Sequence, residues 1–178
     1  MTRYAALLRA INLGSRNRIP MADLRALLSG LGLSDVRTHL QSGNAVFGSD
    51  TGPEALCGQI EQAIGREFGL RVACLLRTRD ELRVVIEDNP LADVADNGSK
   101  LMALFLSETP DPALLARNDP VALDPQRVRI GQRVIYQWCP NGLMAAPSVG
   151  AFVEKHLKLT VTARNWNTVT KLGSLLNI

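Results

Sequence analysis

At 178 residues, 46% hydrophobic and 21% charged, the chain has the balance of a folded globular protein and not that of a disordered or low-complexity one. No apolar run approaches the roughly 18 residues of a membrane span, and the start, Met1-Thr2-Arg3-Tyr4, leads into a stretch broken at Arg9, too short for a secretory leader. The formal charge of +3 hides a segregation: residues 1–49 set six arginines against Asp23 and Asp35, residues 50–126 set seven bases against fourteen acids, and residues 127–178 set seven bases against Glu154 alone. Both ends are therefore basic and the middle acidic, which gives an anion-attracting surface wherever the ends are exposed together. Arginine outnumbers lysine sixteen to four, an excess that codon usage or selection for a phosphate-gripping fork both produce. Cys57, Cys74 and Cys139 are odd in number and lack Cys-x-x-Cys or Cys/His spacing, which predicts reduced thiols in or near the core, no zinc site, and a cytoplasmic protein.

Tyr4 to Ile11 reads as a buried strand, and the polar loop from Asn12 to Pro20 follows it. Met21, Leu24, Leu27, Leu28 and Leu31 have helical spacing, with Gly30 and Gly32 marking the end. Val36, Thr38 and Leu40 alternate with polar residues in a half-buried strand; Ser42-Gly43-Asn44 then turns the chain into Ala45-Val46-Phe47, a hairpin in which Gly and Asn supply the positive φ. Helix is predicted over Pro53 to Phe68, strand over Arg71 to Arg77, and helix over Thr78 to Glu87, opened by Thr78 and Glu81 in capping-box spacing. Strand, helix, hairpin, helix, strand is the ferredoxin-like βαββαβ order.

The remainder repeats that order. Lys100 to Leu106, Arg127 to Ile130, Arg133 to Trp138 and Leu159 to Ala163 read as strands; Pro112 to Arg117, Ser148 to Leu157 and Thr168 to Leu176 read as helices. Arg37-Thr38-His39-Leu40 matches Arg127-Val128-Arg129-Ile130, and Thr78, Leu82 and Val85 match Thr168, Leu172 and Leu175, at one common offset of 90. The expected fold is α+β: two tandem pseudo-repeated ferredoxin-like units with appended helices, 1–88 and 100–178, joined by the turn-rich acidic connection 89–99 and closely packed together.

Three groups of residues could hold a ligand. Arg9, Asn12, Arg16 and Arg18 lie where a strand ends and a helix begins, a place where free amides and the helix dipole favour anions, although the same segment also reads as a solvated basic loop. Gln41, Ser42 and Asn44 form a polar hairpin tip, and Gln41 can both donate and accept. Arg164, Asn165, Trp166, Asn167, Thr168 and Lys171 combine cations, carboxamides and an indole with no acid among them. Thr168-x-x-Lys171, set against Thr78-x-x-Glu81, places a cation in the expected first helical turn, which a bound anion would relieve; the same run also reads as a plain capped helix, with Asn165 and Asn167 able to cap, Trp166 anchored in the core and Lys171 stretched into water. His39, on the polar side of its strand, has no fixed carboxylate or nucleophile beside it and reads as a surface residue. The two histidines and scattered carboxylates show no metal-ligand spacing.

Arg9-Ala10-Ile11-Asn12-Leu13-Gly14 with Ile19-Pro20-Met21-Ala22-Asp23-Leu24-Arg25, Val36-Arg37-Thr38 with Leu40-Gln41-Ser42-Gly43-Asn44, and Thr162-Ala163-Arg164-Asn165-Trp166-Asn167-Thr168 together resemble the bacterial family known as domain of unknown function 1697. The family pattern often has Gly at Ala10 and an aromatic at His39. The resemblance implies a two-unit α+β fold and assigns no catalytic residue and no activity.

These readings converge on a protein that binds a phosphorylated small molecule or a nucleic-acid segment in a basic, amide-rich cleft. The alternatives are a metabolic transferase or hydrolase using the same cleft for positioning and electrostatics, or a scaffold that binds a protein partner. No cofactor, metal or membrane contact is expected, and the chain is expected to be a monomer or a weak homo-oligomer. With 4% aromatic residues, stacking of bases on an open sheet is not favoured.

Overall fold

A computed structural model describes residues 1–178 and shows a mixed α+β chain with two four-stranded antiparallel sheets and six helices. The first sheet contains β1 (Thr2–Leu8), β2 (Ser34–His39), β3 (Asn44–Ser49) and β4 (Cys74–Thr78) in the order β2-β3-β1-β4. α1 (Met21–Gly30) connects β1 to β2, and α2 (Pro53–Phe68) connects β3 to β4. The second sheet contains β5 (Leu101–Leu106), β6 (Val128–Gly131), β7 (Val134–Trp138) and β8 (Val161–Asn165) in the order β6-β7-β5-β8. α3 (Arg79–Glu87) follows β4, α4 (Pro112–Arg117) and α5 (Val149–His156) lie within the second half, and α6 (Trp166–Leu175) closes the chain. The chain divides into two compact units, Met1–Arg83 with Lys171–Ile178, and Val84–Thr170. The divisions fall inside α3 and inside α6, not in the 89–99 connection.

The sequence explains why these elements stop where they do. α2 has Pro53 at its first position and ends at Gly69 with φ 66°, a left-handed cap that glycine adopts without a Cβ penalty. Its Leu56, Ile60 and Ile64 recur on one face and are fully buried, each worth about 1.5–3 kcal/mol of apolar transfer. With Leu24 and Leu28 of α1 they pack on Tyr4, Ala6, Leu8, Ala45, Phe47, Cys74 and Leu76 of the first sheet. In the second unit Val149, Val153 and Leu157 pack with Leu104, Leu106, Ile135 and Val161.

The opposite faces of the central strands are buried as well: Ala5, Leu7, Val46 and Leu75 in the first sheet, and Ala103, Phe105, Val134 and Tyr136 in the second. Neither sheet therefore offers the open face on which single-stranded RNA is usually stacked. No disulfide joins the three cysteines; Cys74 and Cys139 are buried and Cys57 is half-buried. No helix is long and apolar enough to cross a membrane.

Three boundaries differ from the sequence reading. β1 stops at Leu8 because Ala10 and Asn12 take left-handed conformations, φ 58° and 53°. In the β2–β3 turn the positive φ falls on Leu40 (56°) and Gly43 (87°), while Asn44 is the first residue of β3. α6 begins at Trp166, two residues before the expected start, because Asn165 is its cap: Thr168 N donates to Asn165 Oδ1 at 3.0 Å. Lys171 consequently lies in the second turn of α6, and the unfavourable cation in a first helical turn does not exist.

Candidate anion-binding site

In the first unit, the loop after β1 and the β2–β3 turn meet at one end of the sheet, and Asn12 joins them. Its Nδ2 donates to Ile19 O at 2.9 Å and to Gln41 O at 2.7 Å, while Ile19 N donates to its Oδ1 at 2.8 Å. Leu8 N donates to Gly43 O at 2.8 Å and Asn17 Nδ2 to Ala10 O at 3.0 Å, so both segments are braced by local bonds. Gly43 fills the tightest place in this junction: a Cβ there would lie 2.9 Å from Ile11 Cγ1 and from Leu8 Cβ.

Six residues of these two segments, Ala10, Asn12, Gly14, Asn17, Leu40 and Gly43, have positive φ. Left-handed Ala and Leu each cost about 1 kcal/mol or more, and such backbone strain concentrates at functional sites. The loop carries Arg16 and Arg18, both exposed, and neither guanidinium makes a hydrogen bond or ion pair with the protein. Arg16 N is used internally, donating to Leu13 O at 3.2 Å, whereas the amides of Gly14, Ser15 and Arg18 have no internal acceptor.

The other expected residues of this unit divide by burial. Gln41 and Ser42 are exposed at the tip and Arg9 is half-buried beside it. Asn44 is fully buried; its Nδ2 donates to His39 O and to Ser42 Oγ, both at 2.9 Å, so it closes the turn from inside the strand. Lys171, exposed, approaches His39 closely enough that burial, and then the Lys171 charge, lower the His39 pKa below its ordinary 6.5. His39, read from sequence as an isolated surface side chain, therefore stands beside a cation that disfavours its charged form; no sequence signal marks this, because Lys171 is 132 positions away.

The Arg164 to Thr168 run lies in the second unit, and most of it is buried or bonded within the protein. Arg164 is 8% exposed, and its Nη1 donates to Thr162 Oγ1 at 2.9 Å and Ala163 O at 2.8 Å. Burial lowers its pKa to about 10. Asn165 is the helix cap, Thr168 is buried, and the Trp166 ring lies 6.1 Å from that of Tyr136. Trp166 N donates to Gly98 O at 2.9 Å, and Asn167, exposed, rests its Oδ1 against Gly98. Sequence reading also passed over Arg77, 1% exposed on β4, whose Nη1 donates to Leu76 O at 2.8 Å. No group of three or more His, Cys, Asp or Glu side chains is placed to hold a metal ion.

Residues 1–136 match the model of the family described as protein of unknown function DUF1697. The chain belongs to this family. The DUF1697 match includes the whole of the loop and turn described above and ends before β8 and α6, so Lys171 and the Arg164 to Thr168 run lie beyond it. A conserved bacterial protein from Streptococcus pneumoniae has a similar structure, with a TM-score of 0.71 and 24% identity over 98% of each chain. At that identity the likeness speaks for the fold of this DUF1697 chain alone. No curated protein matches the sequence.

Proposed function

We propose that the chain is a binding protein for a phosphate-bearing partner, gripped at the end of the first sheet by Arg16 and Arg18 with the tip residues Gln41 and Ser42. The observation that carries this reading is the pair of uncommitted guanidinium groups on a loop whose strained shape Asn12 holds fixed. Arginine forks suit phosphate, and free loop amides add donors of the same polarity. Arg9 and Lys171 add positive charge to the same unit. The guanidinium of Arg164, enclosed in β8, contributes stability in this reading and not ligand contact. Nucleic acid would be held through its phosphates, since both sheet faces are closed.

Titration with inorganic pyrophosphate, and separately with a mixed-sequence single-stranded oligonucleotide, tests this. Binding is expected to weaken with salt, and the Arg16→Ala/Arg18→Ala double variant to bind about tenfold or more weakly. On the oligonucleotide the salt slope should shrink by about 1.4, two phosphates at about 0.7 each. No binding of either probe at low ionic strength would overturn the reading; pyrophosphate bound without the oligonucleotide would identify the partner as a small molecule.

We also infer that the two units are copies of one ferredoxin-like βαββαβ element. The strand orders correspond, and one row across each sheet has the same design: Arg37, Val46, Ala5 and Arg77 in the first, Arg129, Tyr136, Ala103 and Arg164 in the second. A small central alanine beside an arginine on the neighbouring outer strand recurs in both. This alignment pairs Arg37 with Arg129 and Thr78 with Asn165, in place of the single offset of 90.

A further inference from the structure

Beneath the β6–β7 hairpin, within the second unit and apart from the loops of the proposed phosphate site, lies a cavity of about 210 Å³. That is an order of magnitude above the roughly 10–15 Å³ that one water needs. Its apolar wall comes from Val84 and Val85 of α3, Pro90, Ile130 and Val134. Gly131 keeps the turn close over the Tyr136 ring, since a Cβ there would stand 2.9 Å from Tyr136 Cε2.

The one charged side chain of this cavity is acidic, and the Gln132 carboxamide beside it can turn either its donor or its acceptor end to a ligand. Tyr136 donates its hydroxyl proton to Val85 O at 2.8 Å, so its oxygen has lone pairs left to offer. Asp88, also in the lining, is an acceptor when ionised. Both lie at the C-terminal end of α3, the negative end of the helix dipole, where Glu87 and Asp88 follow one another and the last turn has no basic residue. Arg133, the neighbouring cation, directs its Nη2 to Ser107 O at 2.7 Å and does not line the cavity. Burial, and then the Asp88 charge, push the Tyr136 pKa up to about 12, which keeps the phenol neutral; Asp88 is the one carboxyl side chain of the lining.

We propose that this cavity binds a small organic cation, an alkylammonium with a short apolar tail, its ammonium held by the Asp88 carboxylate and the Tyr136 oxygen and its tail against Val84, Ile130 and Val134. The ligand brings donors where the site has acceptors, and its charge relieves the acidic helix end.

The test is titration of the full chain with n-butylammonium, read from the Gly131 and Gln132 amide resonances, with n-butanol as the neutral partner of equal tail. The expected result is saturable shifts with n-butylammonium, affinity weaker by at least about tenfold in Asp88→Asn, and no saturation with n-butanol. Asp88 is exposed, so this variant keeps the fold; Val84→Phe, which fills the cavity, is expected to block binding while pyrophosphate still binds at the first-sheet loop. Shifts that never saturate, an unchanged affinity in Asp88→Asn, or equal binding of n-butanol would each overturn the proposal.

Discussion

Asn12 ties together the loop and the turn of the proposed phosphate site. Its carboxamide satisfies three backbone groups from two segments, and alanine there would strand them in a half-buried place. At about 0.5–1.5 kcal/mol per net bond, Asn12→Ala should cost about 2 kcal/mol, and lower Tm by about 4–8 °C. Gly43→Ala should be at least as damaging, because its φ of 87° and the nearby Ile11 and Leu8 side chains leave no relaxed position for a Cβ. Two arginine variants separate architecture from binding. Arg164→Ala should lower Tm while pyrophosphate affinity stays the same, and Arg16→Ala/Arg18→Ala should do the reverse; calorimetry and thermal melts on both proteins check the pair.

At the scale of elements, α3 and α6 begin alike and were unequally legible. The Thr78–Glu81 capping box is present as its spacing indicates, with Glu81 N donating to Thr78 Oγ1 at 3.1 Å and Thr78 N to Glu81 Oε2 at 2.8 Å. The start of α6 is harder to place, because Thr168 matches the Thr78 pattern while the capping bond is made by Asn165, also a candidate cap from sequence, at the end of a strand. Thr78→Ala and Asn165→Ala should each cost about 1 kcal/mol, measurable by denaturant midpoint at unchanged m. The long amphipathic helix α2 was readable to the residue, since Pro53 and Gly69 punctuate it and three buried aliphatics fix its face. The hairpin tip was readable in position but not in conformation: local preference assigns positive φ to Asn44, whereas burial draws Asn44 into β3 and leaves the strain on Leu40. Of the candidate site, the two loops could be named from their composition, but their junction through Asn12 and the approach of Lys171 to His39 depend on tertiary placement that no local pattern encodes.

At the scale of the whole molecule, charge and burial set the pH response. Tyr136 ionises at about 12 in the folded chain against an ordinary 10, so between those values the unfolded chain has lost a proton that the folded one keeps. Its contribution to stability is complete below pH 10 and is lost as pH rises toward 12; Tyr136→Phe should flatten that part of the stability profile. His39 behaves in the opposite sense: its pKa is lowered in the folded state, so stability falls as pH drops below about 6.5, where the unfolded chain binds the proton more readily. A phosphate bound nearby would favour the charged imidazole, so saturating pyrophosphate should raise the His39 pKa, followed by proton NMR.

The most direct test of the phosphate site is an amide map of the whole chain during pyrophosphate titration at low ionic strength. Saturable shifts concentrated at Gly14, Ser15, Arg18, Gln41 and Ser42, and lost in Arg16→Ala/Arg18→Ala, are predicted. Saturable shifts centred elsewhere, or unchanged by that double substitution, would contradict the assignment of the loop and turn as the binding element.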